Sequence, residues 1–374
     1  MAMVNLTING RKVQANSDET ILQAAEKAGI RIPVLCHHPS LPPDGACRIC
    51  LVEIENQRLL QPACKFPVSE GMVVNTDTPQ IRASRKTTLE LLIAGHPLAC
   101  MTCESTGNCK LQDLAYEYDI QEDHFDGDKH RFAVDDPNPF IQVDRNKCIV
   151  CGLCVRACRD VNGVEAITMM NRGFRTYIGF GADGYMADST CEFCGSCVAV
   201  CPTGALWPKI ALGKGRSWQV ERVQTTCPYC GVGCQLNLEI KDNKIVMVDS
   251  AWGGPSNHGW TCVKGRFGWD FVHHPDRLTR PKVRRYLLDE SLSKPSAADR
   301  HPEKAGDLWE WVETEWDTAL EISARKFRQH RDESGPDSIG VLTSAKCLNE
   351  ENYLMNKFTR QAIGTNSIDH CARL

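Results

Sequence analysis

The chain contains no run of about 18 apolar residues, so no segment of it is predicted to cross a membrane. It also begins without the apolar stretch of a secretory signal, because MAMVNLTING passes directly into a polar, strand-like pattern. The net charge is only −4, which gives no reason to expect nucleic-acid binding. We therefore expect a cytoplasmic protein with no membrane span and no nucleic-acid partner.

Cysteine, by contrast, is abundant: the 374 residues include 21 Cys. In a secreted protein this number would indicate disulfides, but in a chain without a secretory signal thiols grouped as C-x2-C are predicted to bind metal. The length suits two or three ordinary domains, whereas the cysteine motifs divide the chain into five segments. The predicted boundaries are 1–78, 79–135, 136–215, 216–275 and 276–374.

The first segment is predicted to open with a hairpin and a helix. Asn9–Gly10 is a strong turn signal between two short strands. Ser17 or Asp18 is predicted to cap the helix ILQAAEKA, which ends at Gly29. Four cysteines with the spacing C-x10-C-x2-C-x13-C follow, and they suit a 2Fe–2S cluster or a zinc ribbon. These cysteines are Cys36, Cys47, Cys50 and Cys64.

Hairpin, helix and loop cysteines together resemble a β-grasp ferredoxin domain. Their spacing departs from the plant-type pattern and is similar to the N-terminal domain of complex I large subunits, iron hydrogenases and NAD-linked formate dehydrogenases. The resemblance implies a 2Fe–2S cluster. His37 and His38, next to the first cysteine, are expected to be ordinary loop residues.

The second segment is predicted to begin with a helix that Thr78 caps and Pro79 starts, and that Gly95 ends. His96 follows at once, in the pattern H-x3-C-x2-C-x5-C. This resembles the one-His, three-Cys 4Fe–4S site of the same families, which implies that His96 is a ligand. The acidic stretch 117–139 is predicted to be a linker. The three cysteines are Cys100, Cys103 and Cys109.

The third segment contains an internal repeat of C-x2-C-x2-C-x3-C, the pattern of bacterial two-cluster ferredoxins. In such folds the fourth cysteine of each run binds the other cluster, so we assign the ligands crosswise. Two independent zinc sites are the alternative. One 4Fe–4S cluster is assigned to Cys148, Cys151, Cys154 and Cys201, and the other to Cys158, Cys191, Cys194 and Cys197.

The fourth segment carries the pattern C-x2-C-x3-C-x27-C, which can hold zinc or a 4Fe–4S cluster. Gly231 and Gly233 would let the backbone fold tightly around a bulky core. CPYCGVGC followed by CVKGRFGWD resembles molybdenum or tungsten bis-pterin oxidoreductases, and formate dehydrogenases most closely. The resemblance implies a cluster, with Lys264 bridging it to the pterin. The cysteines are Cys227, Cys230, Cys234 and Cys262.

The last segment alternates helix and strand, which predicts the start of a parallel α/β sheet. One predicted helix has an apolar face, SIGVLT is a short buried strand, and the stretch from Asn349 to Ile363 is a second helix that Gly364 closes. The apolar face of the first helix contains Trp316, Ala319, Leu320, Ser323 and Phe327. The residues predicted to lie in the core are Met355, Phe358 and Ile363.

The whole chain resembles the N-terminal part of the α subunit of NAD- or ferredoxin-linked formate dehydrogenases. The expected fold is an α+β multidomain iron–sulfur protein: a β-grasp 2Fe–2S domain, a His/Cys 4Fe–4S domain, a two-cluster ferredoxin domain, a molybdopterin-oxidoreductase 4Fe–4S domain and the start of an α/β domain. The resemblance implies one 2Fe–2S and four 4Fe–4S clusters, with a molybdenum or tungsten bis(pterin guanine dinucleotide) in the full-length protein.

The same resemblance implies that formate is oxidised to carbon dioxide, or the reverse. Electrons are expected to pass from the pterin through the Cys227–Cys262 cluster, the ferredoxin-like pair, the His96 cluster and the 2Fe–2S cluster. The expected acceptor is a flavin- or NAD(P)-binding subunit, a ferredoxin or a hydrogenase subunit. Cys347 and Cys371 are left without a predicted role.

Two alternatives share part of the pattern: an iron hydrogenase, and the large subunit of complex I. A third interpretation is that the 374 residues are an electron-transfer module that does not oxidise formate alone. In the family, the residue that follows DHCARL is a Cys or selenocysteine that binds the metal. We therefore expect that the codon after Leu374 is UGA, read as selenocysteine.

Overall fold

The computed structural model describes residues 2–120, 125, 127–134, 137–182, 184–289, 309–345 and 347–371. The chain divides into two compact units. One unit comprises residues 1–225 and 235–268, and the other comprises residues 226–234 and 269–374. In the described ranges no helix is long and apolar enough to cross a membrane.

The N-terminal domain is a five-stranded sheet with the strand order β2-β1-β5-β3-β4. β1 and β2 are antiparallel, β5 is parallel to β1, and β3 is antiparallel to both β5 and β4. The predicted hairpin at Asn9–Gly10 is confirmed, with φ of 51° and 77° at its two turn residues. The strands are Met3–Ile8 (β1), Arg11–Asn16 (β2), Leu51–Ile54 (β3), Gln61–Pro62 (β4) and Val73–Asn75 (β5).

Helix α1 (Ile21–Lys27) packs its apolar face onto this sheet in one buried core. Its cap is Thr20, so the prediction of Ser17 or Asp18 is wrong. The Thr20 hydroxyl accepts a hydrogen bond from the Gln23 amide, and the Gln23 side chain accepts one from the Thr20 amide. This reciprocal capping box satisfies two amides at once, which a cap further upstream could not do.

Helices α2 (Pro79–Ala94) and α3 (Lys110–Glu117) form the second domain. The predicted start of α2 is confirmed, because the Thr78 hydroxyl accepts a hydrogen bond from the Ile81 amide and Pro79 is the first helical residue. Gly95 follows the last helical residue, as predicted. The two helices share a buried apolar cluster. The predicted linker 117–139 lies partly outside the described residues.

The third domain is built from two short antiparallel pairs, β6 with β9 and β7 with β8. Two short helices, α4 and α5, each contain the third cysteine of one run, Cys154 or Cys197, and pack against these pairs. A π-helical turn at Ala157–Val161 continues α4. The bounds are Ile141–Val143 (β6), Leu153–Arg156 (α4), Ile167–Met170 (β7), Tyr177–Phe180 (β8), Ser196–Val200 (α5) and Leu206–Pro208 (β9).

A three-stranded sheet of order β10-β11-β12 follows. The hairpin between β11 and β12 turns at Asp242 and Asn243, both with positive φ. Helix α6 begins directly after Cys262, its N-cap residue. The bounds are Glu221–Thr226 (β10), Gln235–Lys241 (β11), Lys244–Ser250 (β12) and Val263–Phe267 (α6).

The C-terminal unit contains a parallel strand pair, β15 with β16, as predicted. Its second helix passes into a π-helical turn at Thr359–Ile363 and ends at Gly364, whose φ is 92°. The strands are Lys282–Arg284 (β13), which pairs with Trp311–Glu313 (β14), and Val341–Ser344 (β15), which pairs with Ile368–Cys371 (β16). The helices are Trp316–Ser334 (α7) and Asn349–Phe358 (α8).

The predicted core of this unit is only partly confirmed, and the apolar face of α7 is largely exposed. Trp316 is 64% exposed and Leu320 is 59% exposed, whereas Ile322 is buried on α7. Of the predicted core residues, Ile363 is buried, but Met355 and Phe358 are each more than one third exposed. In the described residues the helices accompany a sheet of only two strands, which offers too little apolar surface to cover their apolar faces.

Candidate iron–sulfur centres

The four cysteines predicted to hold a 2Fe–2S cluster converge in the loops around β3. Three of them are almost completely buried, and the Cys47 amide donates to Cys36 Sγ at 3.5 Å. The thiol side chains also lie beside one another, Cys36 beside Cys47 and Cys64, and Cys64 beside Cys50. Contact with Cys47, and then Cys64, lowers the pKa of Cys36, whereas contact with Cys36 raises the pKa of Cys64. This compact four-thiol donor set fits a small cluster.

Two histidines follow the first of these cysteines in a loop, as predicted. The imidazole of His38 lies 4.4 Å from the ring centre of Trp252 and 5.6 Å from that of Trp260. Burial lowers the pKa of His38 to about 4 and also lowers the pKa of His37. Aromatic packing therefore accounts for the neutral His38 without a metal, and the absence of a ligand role stays a prediction.

The environment of His96 suits a ligand. Its Nδ1 lies 3.0 Å from the Pro97 carbonyl oxygen, a contact that requires Nδ1 to carry the proton. Its Nε2 is buried and has no hydrogen-bond partner among the described residues. Burial lowers the pKa of the imidazole. A neutral ring whose free nitrogen lone pair is buried is the form in which histidine binds a metal.

The three cysteines after His96 lie at increasing depth. Cys100 is exposed, Cys103 is half-buried and Cys109 is buried. Burial, followed by the charges of Cys103 and Cys100, raises the pKa of the Cys109 thiol. A side chain at Gly204 would place its Cβ only 3.0 Å from Cys103 Sγ. Glycine therefore leaves room beside this sulfur, which a bulky inorganic group would need.

The internal repeat has the same backbone geometry in both copies. Val150 and Phe193, two residues after the first cysteine of each run, both have φ of 52°. In this conformation the Val150 amide donates to Cys148 Sγ at 3.3 Å, and the Phe193 amide donates to Cys191 Sγ at 3.4 Å. A non-glycine residue rarely has positive φ, so the matched pair indicates two loops shaped to aim amides at sulfur.

The first predicted set of four thiols lines a single small cavity. Burial raises the pKa of Cys148 to about 11 and raises the pKa of Cys151 and of Cys154 as well. Buried thiolates require nearby positive charge, which an iron core would supply. These four residues, Cys148, Cys151, Cys154 and Cys201, are therefore brought together as the crosswise assignment predicts.

The second predicted set also gathers crosswise. After burial, the charges that raise the pKa of the fully buried Cys197 are those of Cys194, Cys191 and Cys158, in that order. The charges of Cys194 and Cys158 likewise raise the pKa of Cys191. Cys158, the last cysteine of the first run, is thus a neighbour of the second set.

The sequence reasoning missed Arg156, which joins two of the predicted centres. Its side chain is only 6% exposed. One terminal nitrogen donates to the Cys36 carbonyl oxygen at 2.7 Å and to that of Cys151 at 3.3 Å. The other donates to the Pro42 carbonyl oxygen at 2.5 Å. The partners of Arg156 are main-chain carbonyl oxygens, so no side-chain pattern in the sequence indicates this contact.

A second buried arginine, Arg266 on α6, lies beside the loop of the second cysteine run, at Gly195. It donates to the Val248 carbonyl oxygen at 3.1 Å and to Ser250 Oγ at 2.7 Å, and pairs with Asp249 at 3.6 Å. A Cβ at Gly195 would be 2.7 Å from Arg266 Cγ, so the loop and this side chain are in close contact. Burial lowers the pKa of its guanidinium.

The last predicted set is divided between the two units: Cys227, Cys230 and Cys234 lie in one, and Cys262 lies in the other. In one unit the Cys227 amide donates to the Cys234 carbonyl oxygen at 2.8 Å, which closes the CPYCGVGC loop, and Gly233 has φ of 67°. In the other unit Cys262 and Lys264 are both exposed. Joint ligation by Cys227, Cys230, Cys234 and Cys262 stays a prediction.

Among the described residues, no three His, Cys, Asp or Glu side chains converge as the ligands of one bare metal ion do. A zinc ion requires its thiolates about 2.3 Å from a single point. The thiolates of a cubane cluster bind four different irons and stand further apart.

Five family models match the chain in sequence order: a 2Fe-2S iron-sulfur cluster binding domain (residues 1–79), an NADH-ubiquinone oxidoreductase-G iron-sulfur binding region (85–124), an NADH-quinone oxidoreductase subunit 3 ferredoxin-like domain (138–207), a molybdopterin oxidoreductase Fe4S4 domain (220–274) and molybdopterin oxidoreductase (277–374). This order confirms the predicted fold class.

Three similar proteins extend this picture. NADH-quinone oxidoreductase-G 2 of Rhizobium meliloti is 37% identical over 99% of this chain and 40% of its own length. A Staphylococcus haemolyticus protein, named provisionally as a formate dehydrogenase, is 29% identical over 98% of this chain and 39% of its own length. The crystal structure of an NAD+-reducing [NiFe]-hydrogenase matches with a TM-score of 0.54 and 33% identity, over 57% of this chain and 91% of that one.

Domain order and cysteine sets define an iron–sulfur electron-transfer module. The chain is similar to the iron–sulfur subunits of the NADH-quinone oxidoreductase-G and molybdopterin oxidoreductase family. It spans about 40% of the length of the curated relatives that it matches.

Proposed function

We propose that the chain is the electron-transfer part of a formate dehydrogenase α subunit. In the full-length protein, formate is oxidised to carbon dioxide with release of two electrons and one proton, or formed in the reverse reaction. The proposed cofactors are one 2Fe–2S and four 4Fe–4S clusters, with a molybdenum or tungsten bis(pterin guanine dinucleotide). The proposed partner is a flavin- or NAD(P)-binding subunit, a ferredoxin or a hydrogenase subunit.

The observation that carries the electron-transfer proposal is the contact between the first and third ligand sets. Cys36 lies close enough to Cys151 for its charge to act on the Cys151 thiol, and Arg156 bonds to the carbonyl oxygens of both. Metal sites that only stabilise a fold do not have to lie close together, whereas electron transfer requires the two centres to be close. When bound, iron–sulfur clusters accept and release single electrons.

The chain's own residues have three tasks in this proposal. Buried thiolates and the Nε2 of His96 hold the clusters, and the surrounding apolar cores exclude water from them. The amides of Val150 and Phe193 stabilise the charge on sulfur. Lys264, exposed on α6 two residues after Cys262, is free to bridge a cluster to a pterin as the resemblance implies.

The contacts favour a route that differs from the expected linear order. That order placed the His96 cluster between the ferredoxin-like pair and the 2Fe–2S cluster. The Cys36 and Cys151 loops are connected by Arg156. We therefore propose direct electron transfer between the 2Fe–2S centre and the 4Fe–4S cluster assigned to Cys148, Cys151, Cys154 and Cys201, here called the Cys148–Cys201 cube.

A second candidate is the electron-transfer part of an NADH-quinone oxidoreductase-G protein. The 37% identity to the Rhizobium meliloti protein favours it, whereas the relative named for formate is 29% identical. The motif CPYCGVGC, with the later fourth cysteine and C-x-K, favours the formate dehydrogenase candidate. In the family that this motif resembles, the motif binds the cluster next to the pterin.

The deciding experiment compares the 374-residue chain with the complete protein from the same gene, both prepared anaerobically. We expect formate to drive viologen reduction by the complete protein and not by the 374 residues alone, although dithionite should reduce the clusters of both. A complete protein that binds pterin and reduces viologen with other donors, but never with formate, would contradict the assignment of formate.

A further inference from the structure

Arg156 is held by main-chain atoms from two domains. Its three nitrogens donate to carbonyl oxygens of Pro42 and Cys36 in the first domain, and of Cys151 and Gly152 in the third, at 2.5–3.3 Å. Every one of these carbonyls belongs to a loop that carries a predicted cluster ligand. The guanidinium is thus a direct connection between the two loops.

Within the described residues, this buried charge has no carboxylate in an ion pair with it. Arg266 and Arg159 differ in this respect, because Arg266 pairs with Asp249 and Arg159 pairs with Asp160. Two acidic groups, Asp44 and Asp160, lie in the neighbourhood of Arg156 without forming an ion pair with it. A buried guanidinium left without an opposite charge is strongly unfavourable.

The missing negative charge is available from the two centres themselves. Four thiolates outweigh the positive charge of an iron–sulfur core, so each bound centre is anionic and gains one more negative charge on reduction. Arg156 lies between the Cys36 loop and the Cys151 loop, where it would face both. Coulomb interaction in a buried environment is weakly screened.

We infer that Arg156 is a positioning residue that fixes the contact between the 2Fe–2S centre and the Cys148–Cys201 cube and stabilises the reduced form of both. This inference rests on the proposed function, since it requires that clusters occupy the two ligand sets. A lysine at position 156 could supply the positive charge. Its compact ammonium group could not replace the planar guanidinium, whose separate nitrogens bind carbonyl oxygens of both loops at once.

The test uses the reconstituted 374-residue chain with the variants Arg156→Gln and Arg156→Lys. Arg159→Gln is the matched control, since it removes a positive charge three residues away on an exposed side chain. Each protein is titrated anaerobically with dithionite, and the midpoint potential of each centre is followed by EPR. Spin–spin interaction between the two reduced centres reports their separation.

In Arg156→Gln we expect the potentials of the 2Fe–2S centre and of one cube to become more negative, while the other three centres stay unchanged. Arg156→Lys should restore the potentials towards the wild type but leave the spin–spin interaction altered. Arg159→Gln should match the wild type. Unchanged potentials in Arg156→Gln, or an equal shift in Arg159→Gln, would overturn the inference.

Failure of assembly is also decisive. If Arg156→Gln loses the two centres and Arg156→Lys retains them at wild-type potentials, the need for charge is supported. If both variants lose them, Arg156 acts only in packing and the electrostatic role is overturned. A wild-type chain that binds no iron would refute the proposed function, and the inference with it, before any variant is compared.

Discussion

Val150 and Phe193 share a left-handed backbone conformation, with φ of 52° at each, at equivalent positions of the two cysteine runs. Each directs its amide at the sulfur of the cysteine two residues earlier, Cys148 or Cys191. The side chains at this position differ between the two loops, valine in one and phenylalanine in the other. The repeat therefore shares a backbone conformation here and not a side-chain type.

Proline at position 150 should remove one cube selectively. Proline fixes φ near −65° and has no amide proton, so Val150→Pro loses both the loop shape and the hydrogen bond to Cys148. We expect iron to fall by about 4 per chain, with the EPR signal of the other cube retained. Val150→Gly keeps the amide and tolerates positive φ, so it is the matched control and should keep its iron. Equal iron in all three proteins would contradict this account of the loop.

The crosswise ligand assignment predicts which cube each fourth cysteine serves. Cys201→Ser should impair the cube of the first run, at Cys148, and Cys158→Ser the cube of the second run, at Cys191. Cys347→Ser changes a thiol outside all five sets and should leave the iron content unchanged. EPR of the single variants identifies the affected cube. Loss of the second-run cube in Cys201→Ser would show that each run binds its own cluster.

Replacing His96 by cysteine should retain a 4Fe–4S cluster and make its midpoint potential more negative. A thiolate adds negative charge where the neutral imidazole added none, and this disfavours reduction. His38→Gln is the control, because that ring packs on tryptophans and should leave all potentials unchanged. Identical midpoints in His96→Cys and wild type, measured by EPR titration, would mean that Nε2 is not bound to iron.

Helices α7 and α8 should exchange their amide hydrogens faster than the ferredoxin-like repeat. Their apolar side chains, including Leu320 and Leu354, remain exposed in the described residues, so little burial opposes local opening. Clusters, by contrast, couple folding of the cysteine domains to metal binding. Hydrogen exchange with mass spectrometry on the 374-residue chain measures both. Protection of residues 316–364 equal to that of the repeat would contradict the expectation.

Much of the site could be predicted because cluster ligands follow local spacing. The hairpin at Asn9–Gly10 and the helix start at Pro79 were predictable for the same reason, since each depends on adjacent residues. Arg156 was not, because its partners are carbonyls more than 100 residues away, which leave no side-chain pattern. Met355 and Phe358 were wrongly predicted to lie in the core, because helical periodicity identifies an apolar face but not whether a sheet covers it.

The most direct test of the central claim is metal analysis of the anaerobically prepared chain. Twenty ligands in five sets, 19 Cys and His96, predict about 18 iron per chain, with matching sulfide and only traces of zinc. EPR of the reduced protein should resolve one 2Fe–2S and four 4Fe–4S centres. Zinc in comparable amounts with iron near zero would contradict the account of this chain as an electron-transfer protein.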